Sequence, residues 1–141
     1  MTPVTTTWAT SITNGVFAVY VMKLVEQNKL NLDKPIAELL PKPLDSYPDY
    51  KQTAGDLVRD PRWATVTPRM LLSHTSGLAN FAFLEPDKKM HLHYAPGSRF
   101  AYSGEGLAFK PLLEGILGDT VTPWEWEGYT QEGVLASREH H

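Results

Sequence analysis

One segment limits the fold more than any other: the uninterrupted periodic run from about Ser11 to Gln27. Phe17, Tyr20, Val21, Leu24 and Val25 recur at i, i+3, i+4, i+7 and i+8. That is the spacing of a helix with one buried stripe. Asn28 follows as a stop, suited to the left-handed residue that commonly ends a helix. Leu30 and Leu32 alternate through a short extended connector. Asp33 is expected to cap a second, short helix with Pro35 in its first turn and Ile36, Leu39 and Leu40 on its apolar side. Pro41 and Pro43 end it.

Beyond that point the pattern is broken. Residues 42–66 contain Pro43, Pro48, Gly55 and Pro61 with no sustained period, and read as a long surface loop with a turn of helix near Gly55–Val58. Thr67-Pro68 is a cap followed by proline at the first helical position, so a short helix carries Met70, Leu71 and Leu72. It ends by Gly77, which is expected to supply a positive φ. Residues 79–95 are irregular and aromatic, with Pro86-Asp87-Lys88-Lys89 as a solvated turn. A last helix has Ser103 as its cap and Phe109, Leu112, Leu113, Ile116 and Leu117 on one side. Pro111 within it is tolerable only near the first turn. Strand signal is thin throughout. The expectation is one domain over 1–141, mainly α, with long loops and little sheet.

Composition excludes several classes. The 141 residues carry a formal charge of −3 and include no cysteine. Without a basic excess, nucleic-acid binding has little support. Without cysteine there is no disulfide, thiol catalysis or Cys-ligated zinc. No run approaches the ~18 apolar residues of a membrane span. The first residues lack the basic and apolar regions of a signal peptide, so the chain as written is expected to stay where it is made, in the cytoplasm. His91-Leu92-His93, with Glu85 and Asp87 nearby, offers two metal ligands if extended but matches no zinc signature. Neither metal nor cofactor is expected. Trp124 and Trp126, alternating with Glu125 and Glu127, read first as packing or interface residues.

Three segments carry chemistry. Pro96-Gly97-Ser98-Arg99-Phe100-Ala101-Tyr102-Ser103-Gly104 is a turn, a β-prone run ending in a phenol, and a helix start. It places Tyr102 at a strand-to-helix corner, facing a cleft. Leu71-Leu72-Ser73-His74-Thr75-Ser76-Gly77-Leu78 and Thr10-Ser11-Ile12-Thr13-Asn14 are the other two. In this order they resemble the serine β-lactamase and penicillin-binding protein superfamily, in its class C-like, esterase-containing branch. The resemblance runs from roughly Thr10 to Leu117 and extends to Val16-Phe17-Ala18, Lys23-Leu24-Val25-Glu26 and Leu32-Asp33-Lys34-Pro35.

What the resemblance implies is acyl transfer on a small lactam or ester. Ser11 matches the nucleophile of Ser-x-x-Lys, whose lysine one helical turn on helps remove the serine proton. Tyr102-Ser103-Gly104 matches the second motif, in which the tyrosine shuttles a proton between nucleophile and leaving group. Asn14, Ser103 and Gly104 fall at substrate-binding positions. Spacing alone makes Ser11 a cap or first-turn residue, and Tyr102 a buried tyrosine bonding a backbone carbonyl. Both of these plainer readings stay open. His74 reads as part of a structural turn, since its serine neighbours point in other directions.

Two departures stand out. Asn14 occupies the lysine position, and an amide cannot accept the serine proton. Lys23, about three helical turns beyond Ser11 (~18 Å), cannot replace it. The third motif, Lys or His with a small residue and Gly on an edge strand, is absent after Tyr102, which leaves no visible source for a second oxyanion donor. The chain therefore resembles the helical part of the β-lactamase/transpeptidase-like α+β fold, without most of the central sheet. Two outcomes follow: a hydrolase with impaired activity, or a non-catalytic relative that binds a ligand or assembles. A helical lobe without its sheet exposes apolar surface that a homo-oligomer or a partner chain would cover.

Overall fold

The computed structural model describes residues 13–104. The chain divides into two units, Met1–Leu30 and Asn31–His141. The helix predicted beyond Ser103, with Phe109 to Leu117, and the tryptophans Trp124 and Trp126 lie outside the described residues, as does Ser11.

In the first unit, α1 spans Thr13–Glu26. The centre of the expected stripe is buried at Val21 and Leu24, Phe17 and Val25 are half-buried, and Tyr20 is exposed. The stop at Asn28 is as expected: φ is 56° there. The Asn28 N–H donates to the Val25 carbonyl (2.9 Å) and the Lys29 N–H to the Leu24 carbonyl (2.9 Å). These two bonds are the Schellman pair that satisfies the last helical carbonyls.

In the second unit, α2 is Ile36–Leu39. Asp33 does not cap it. Pro35 holds that position with no side-chain cap, and the Asp33 carboxylate instead pairs with the Arg69 guanidinium through both oxygens (2.7 and 2.9 Å). A bidentate partner from elsewhere in the chain outcompetes a local amide.

The expected loop over 42–66 is corrected too, although its turn of helix near Gly55–Val58 is present. It is a chain of short helical turns: Leu44–Ser46, Pro48–Tyr50, α3 at Gly55–Arg59, and Pro61–Thr65. Leu44, Ala54, Leu57, Trp63 and Val66 are buried within it. Each proline stops propagation but pre-sets φ for the next turn, so the segment contributes core without a readable period. Asp60 caps the Pro61–Thr65 turn by accepting from the Arg62 N–H (2.9 Å). The same carboxylate holds the Arg62 guanidinium, which also donates to the Leu92 carbonyl (2.9 Å).

α4 is Pro68–Leu72, with Thr67 as its cap and Pro68 leading, as the sequence predicts. The Arg69 N–H donates to the Leu32 carbonyl (3.0 Å), and the Ile36 N–H to the Val66 carbonyl (2.8 Å), which ties the connector, α2 and α4 together. The β pairing among the described residues is one antiparallel bridge, Leu78 to Leu92. The described residues are thus mainly helical turns and loops with almost no strand. Among the described residues no helix is long and apolar enough to cross a membrane.

Candidate functional site

The candidate site grows out of the end of α4. The Ser73 N–H donates to the Arg69 carbonyl (3.0 Å), after which the chain turns sharply. The left-handed residue at this turn is His74, with φ at 54°, not the expected Gly77. The His74 N–H donates to the Leu71 carbonyl (3.1 Å) and the Thr75 N–H to the Met70 carbonyl (2.8 Å), the same Schellman pair that ends α1. A side chain in that conformation is strained relative to glycine, although histidine, like Asn and Asp, adopts it more often than other residues.

Gly77 does have a positive φ, 81°, but for a different reason. It lies beside the Leu78–Leu92 bridge, where its carbonyl accepts from the His93 N–H (2.8 Å). A Cβ at this position would overlap the Tyr94 backbone. The chain then returns through Ala95-Pro96-Gly97-Ser98, a type II turn closed by the Ser98 N–H on the Ala95 carbonyl (3.1 Å), with Gly97 at φ 77°. The Gly97 N–H donates to the Thr75 carbonyl (2.7 Å), so the turn is pinned to the end of α4.

From there residues 100–104 run back across His74. Among the described residues the β-prone run has no strand partner. Ala101 makes one ladder-like bond, its N–H to the His74 carbonyl (2.8 Å). Tyr102 is 42% exposed, and its ring packs on the His74 imidazole with centroids 4.5 Å apart. Phe100 meets the same imidazole edge-on at 5.9 Å. The plainer reading of Tyr102 as a buried residue therefore does not hold. The next residue faces the opposite way. Ser103 is fully buried, its hydroxyl donates to the Ala79 carbonyl (2.7 Å), and its N–H donates to His74 Nδ1 (3.3 Å). The Gly104 N–H donates to Asn80 Oδ1 (2.8 Å). A Cβ on Gly104 would overlap the ring of Phe81, which stacks on Phe83 at 5.2 Å.

Tyr102, Ser103 and Gly104 are thus brought together with His74, Asn80 and Phe81. Asn14 belongs to the other unit, half-buried in the first turn of α1. Sequence reasoning missed Asn80 and Phe81 as parts of this corner, and read His74 only as part of a structural turn. The missed signal for His74 is a helix run, Pro68 to Leu72, that closes on Ser-His rather than on Gly or Asn. Asn80 has no local signal at all, since its partner is 24 residues away.

The electrostatics are mild. Burial pushes the His74 imidazole below its ordinary pKa, partly opposed by the Ser103 amide bond, so it is neutral at pH 7. The four groups weighed as metal ligands divide into two separate pairs: His91 Nε2 with Asp87 (2.7 Å), and His93 Nε2 with Glu85 (3.0 Å). Hydrogen bonding from His91 holds the Asp87 carboxyl below its usual range. Among the described residues no group of three or more His, Asp or Glu could hold a metal ion. The expected solvated turn is present, with the Lys88 N–H on the Glu85 carbonyl (3.1 Å), but Lys89 reaches back to Asp56 (2.8 Å).

A search of curated proteins finds no match to this chain. A family model described as Beta-lactamase matches residues 1–129, a span that includes the Ser11 motif, the His74 turn and the Tyr102-Ser103-Gly104 corner. With a match over most of its length, and with the motif tyrosine standing exposed on a fixed corner, the chain belongs to the Beta-lactamase family.

Proposed function

We propose that this chain is a serine-hydrolase relative that transfers acyl groups from small lactams or esters through Ser11, with reduced activity. The observation that carries this reading is Tyr102. Its neighbours on either side are fixed, Ala101 by the His74 carbonyl and Ser103 by Ala79 and His74, and the motif residue between them is exposed. In this reading the Ser11 Oγ–acyl bond forms and the lactam C–N or ester C–O bond breaks. The serine proton passes by way of the Tyr102 phenol to the leaving nitrogen or oxygen. Water then releases the acid and restores Ser11. The resemblance also puts Asn14, Ser103 and Gly104 at substrate-binding positions. Lacking a lysine at position 14, the site loses a general base, typically worth 10²–10⁴-fold. Intact-protein mass after incubation with a reactive penicillin, and separately with an activated ester, tests this. An adduct on the native chain and none on Ser11→Ala supports it; no adduct on either rules it out.

Asn14 also favours a second reading, a non-catalytic relative that binds a ligand or assembles. Val19, Tyr20 and Met22 stand exposed on α1, surface of the kind a second copy would cover. Turnover by the native chain excludes the non-catalytic reading. A strictly monomeric mass at high protein concentration excludes the assembly.

A further inference from the structure

The corner spends backbone strain on a histidine. At the position after α4 where Gly is least strained and Asn next, His74 sits at φ 54°. Strained positions that persist are held by their surroundings and cluster at functional sites. Beyond the helix end itself, four contacts to His74 come from one segment. The His74 carbonyl accepts from Ala101 (2.8 Å), its Nδ1 accepts from Ser103 (3.3 Å), and its ring lies against Phe100 (5.9 Å) and Tyr102 (4.5 Å). Every residue from Phe100 to Ser103 thus touches His74, and Tyr102 lies between two residues whose amides it holds.

We propose that His74 is the positioning residue for Tyr102: through its carbonyl and Nδ1 it fixes the amides on either side, and through its ring it sets the direction of the phenol. An Nδ1 that accepts from an amide cannot carry a proton, so the neutral ring bears its proton on Nε2. With its backbone at positive φ, His74 presents its ring to the returning segment. The function of the phenol itself rests on the reading above; the positioning does not.

The test uses the full chain, isotopically labelled, with His74→Gly and His74→Asn beside it. Glycine relieves the backbone strain, so a purely structural role predicts an unchanged Tyr102 side-chain rotamer, read from its χ1 couplings. The expected result is the reverse. In the native chain, imidazole nitrogen shifts show Nδ1 bare and Nε2 protonated, and the Tyr102 couplings report one rotamer. In His74→Gly, the Tyr102 couplings average over rotamers and the Ser103 amide moves. In His74→Asn, whose Oδ1 replaces Nδ1, the Ser103 amide returns toward its native position while the Tyr102 couplings stay averaged. A proton on Nδ1 in the native chain, or a single native Tyr102 rotamer in His74→Gly, overturns the proposal. If acyl transfer is found, His74→Gly lowers kcat by up to about 10²-fold, the scale of a misplaced catalytic group, with KM little changed. None of the spectroscopic outcomes needs turnover, so failure of the acyl-transfer reading and failure of the positioning are separately visible.

Discussion

The Tyr94 carbonyl occupies the space that a side chain on Gly77 would need: a Cβ there would stand 2.9 Å from the Tyr94 carbonyl carbon and closer still to its oxygen. With no side chain at Gly77, the segment around Leu92 and the chain at Gly77 approach closely enough for the His93 N–H to reach the Gly77 carbonyl.

Gly77→Ala should therefore destabilise the chain severely. Left-handed alanine alone costs about 1–2 kcal/mol, and the overlap is with backbone, which has little room to yield. A total above about 2 kcal/mol is expected by urea denaturation. Gly97→Ala is the control. Its φ is similar, at 77°, but its nearest neighbour is the flexible Met70 Cε at 3.4 Å, so the loss should be about 1 kcal/mol. Equal losses would contradict the close approach at Gly77.

Gly104 and Phe81 should be coupled. A Cβ on Gly104 would come within 2.8 Å of Phe81 Cε2 and nearer to Cζ. Gly104→Ala is expected to destabilise, and to do so much less in a Phe81→Ala background. The coupling in a double-mutant cycle should fall in the range of about 0.5–3 kcal/mol seen for residues in contact. Additive effects would show that the ring does not pack there.

Tyr102→Phe should separate chemistry from folding. The ring contact with His74 survives, and only the hydroxyl of a partly exposed side chain is removed, so stability should change by less than about 1 kcal/mol. If the phenol shuttles a proton, acyl transfer should fall by about 10²–10⁴-fold. The check is a chromogenic lactam or ester assay beside thermal melting. A stable variant with native turnover would remove Tyr102 from the mechanism.

Stability should fall on acidification, and Asp60 should account for part of the fall. The Arg62 guanidinium holds the Asp60 carboxyl below its ordinary range, as Lys89 does Asp56 and Arg69 does Asp33. A carboxyl with a folded pKa below its unfolded value, about 3.9, contributes stability that is present above that value. The contribution is lost as pH falls through the folded pKa. In Asp60→Asn the cap acceptor is kept but the charge is gone, a loss of about 0.2–1 kcal/mol at pH 7 for so exposed a pair. The gap in urea midpoint between native and Asp60→Asn should narrow below about pH 4. A gap independent of pH would mean the pair contributes nothing as a charge.

At Asn28, φ 56° in the Schellman turn predicts that Asn28→Gly is neutral or stabilising and Asn28→Ala costs about 1 kcal/mol. Thermal melting of both variants checks it, and alanine tolerated as well as glycine would place the turn elsewhere.

Where a rule is local, the sequence carried it. The stripe of α1, the Asn28 stop, the Thr67-Pro68 start of α4, the Pro96-Gly97 turn and the scarcity of strand all follow from residues within one or two turns of each other. The order of the Ser11, His74 and Tyr102 segments likewise carried the family. Tertiary structure decided the rest, because the competing partners are distant in sequence. Asp33 left its cap for Arg69, 36 residues away. The proline-broken stretch over 42–66 became core because its turns bury Leu44, Leu57 and Trp63 together, a collective gain that no periodicity records. Tyr102 was legible as a motif residue, but its support was not. His74 and Asn80 reach it through backbone amides 29 and 24 residues away, and a hydrogen bond to an amide leaves no mark on the residue type that carries it.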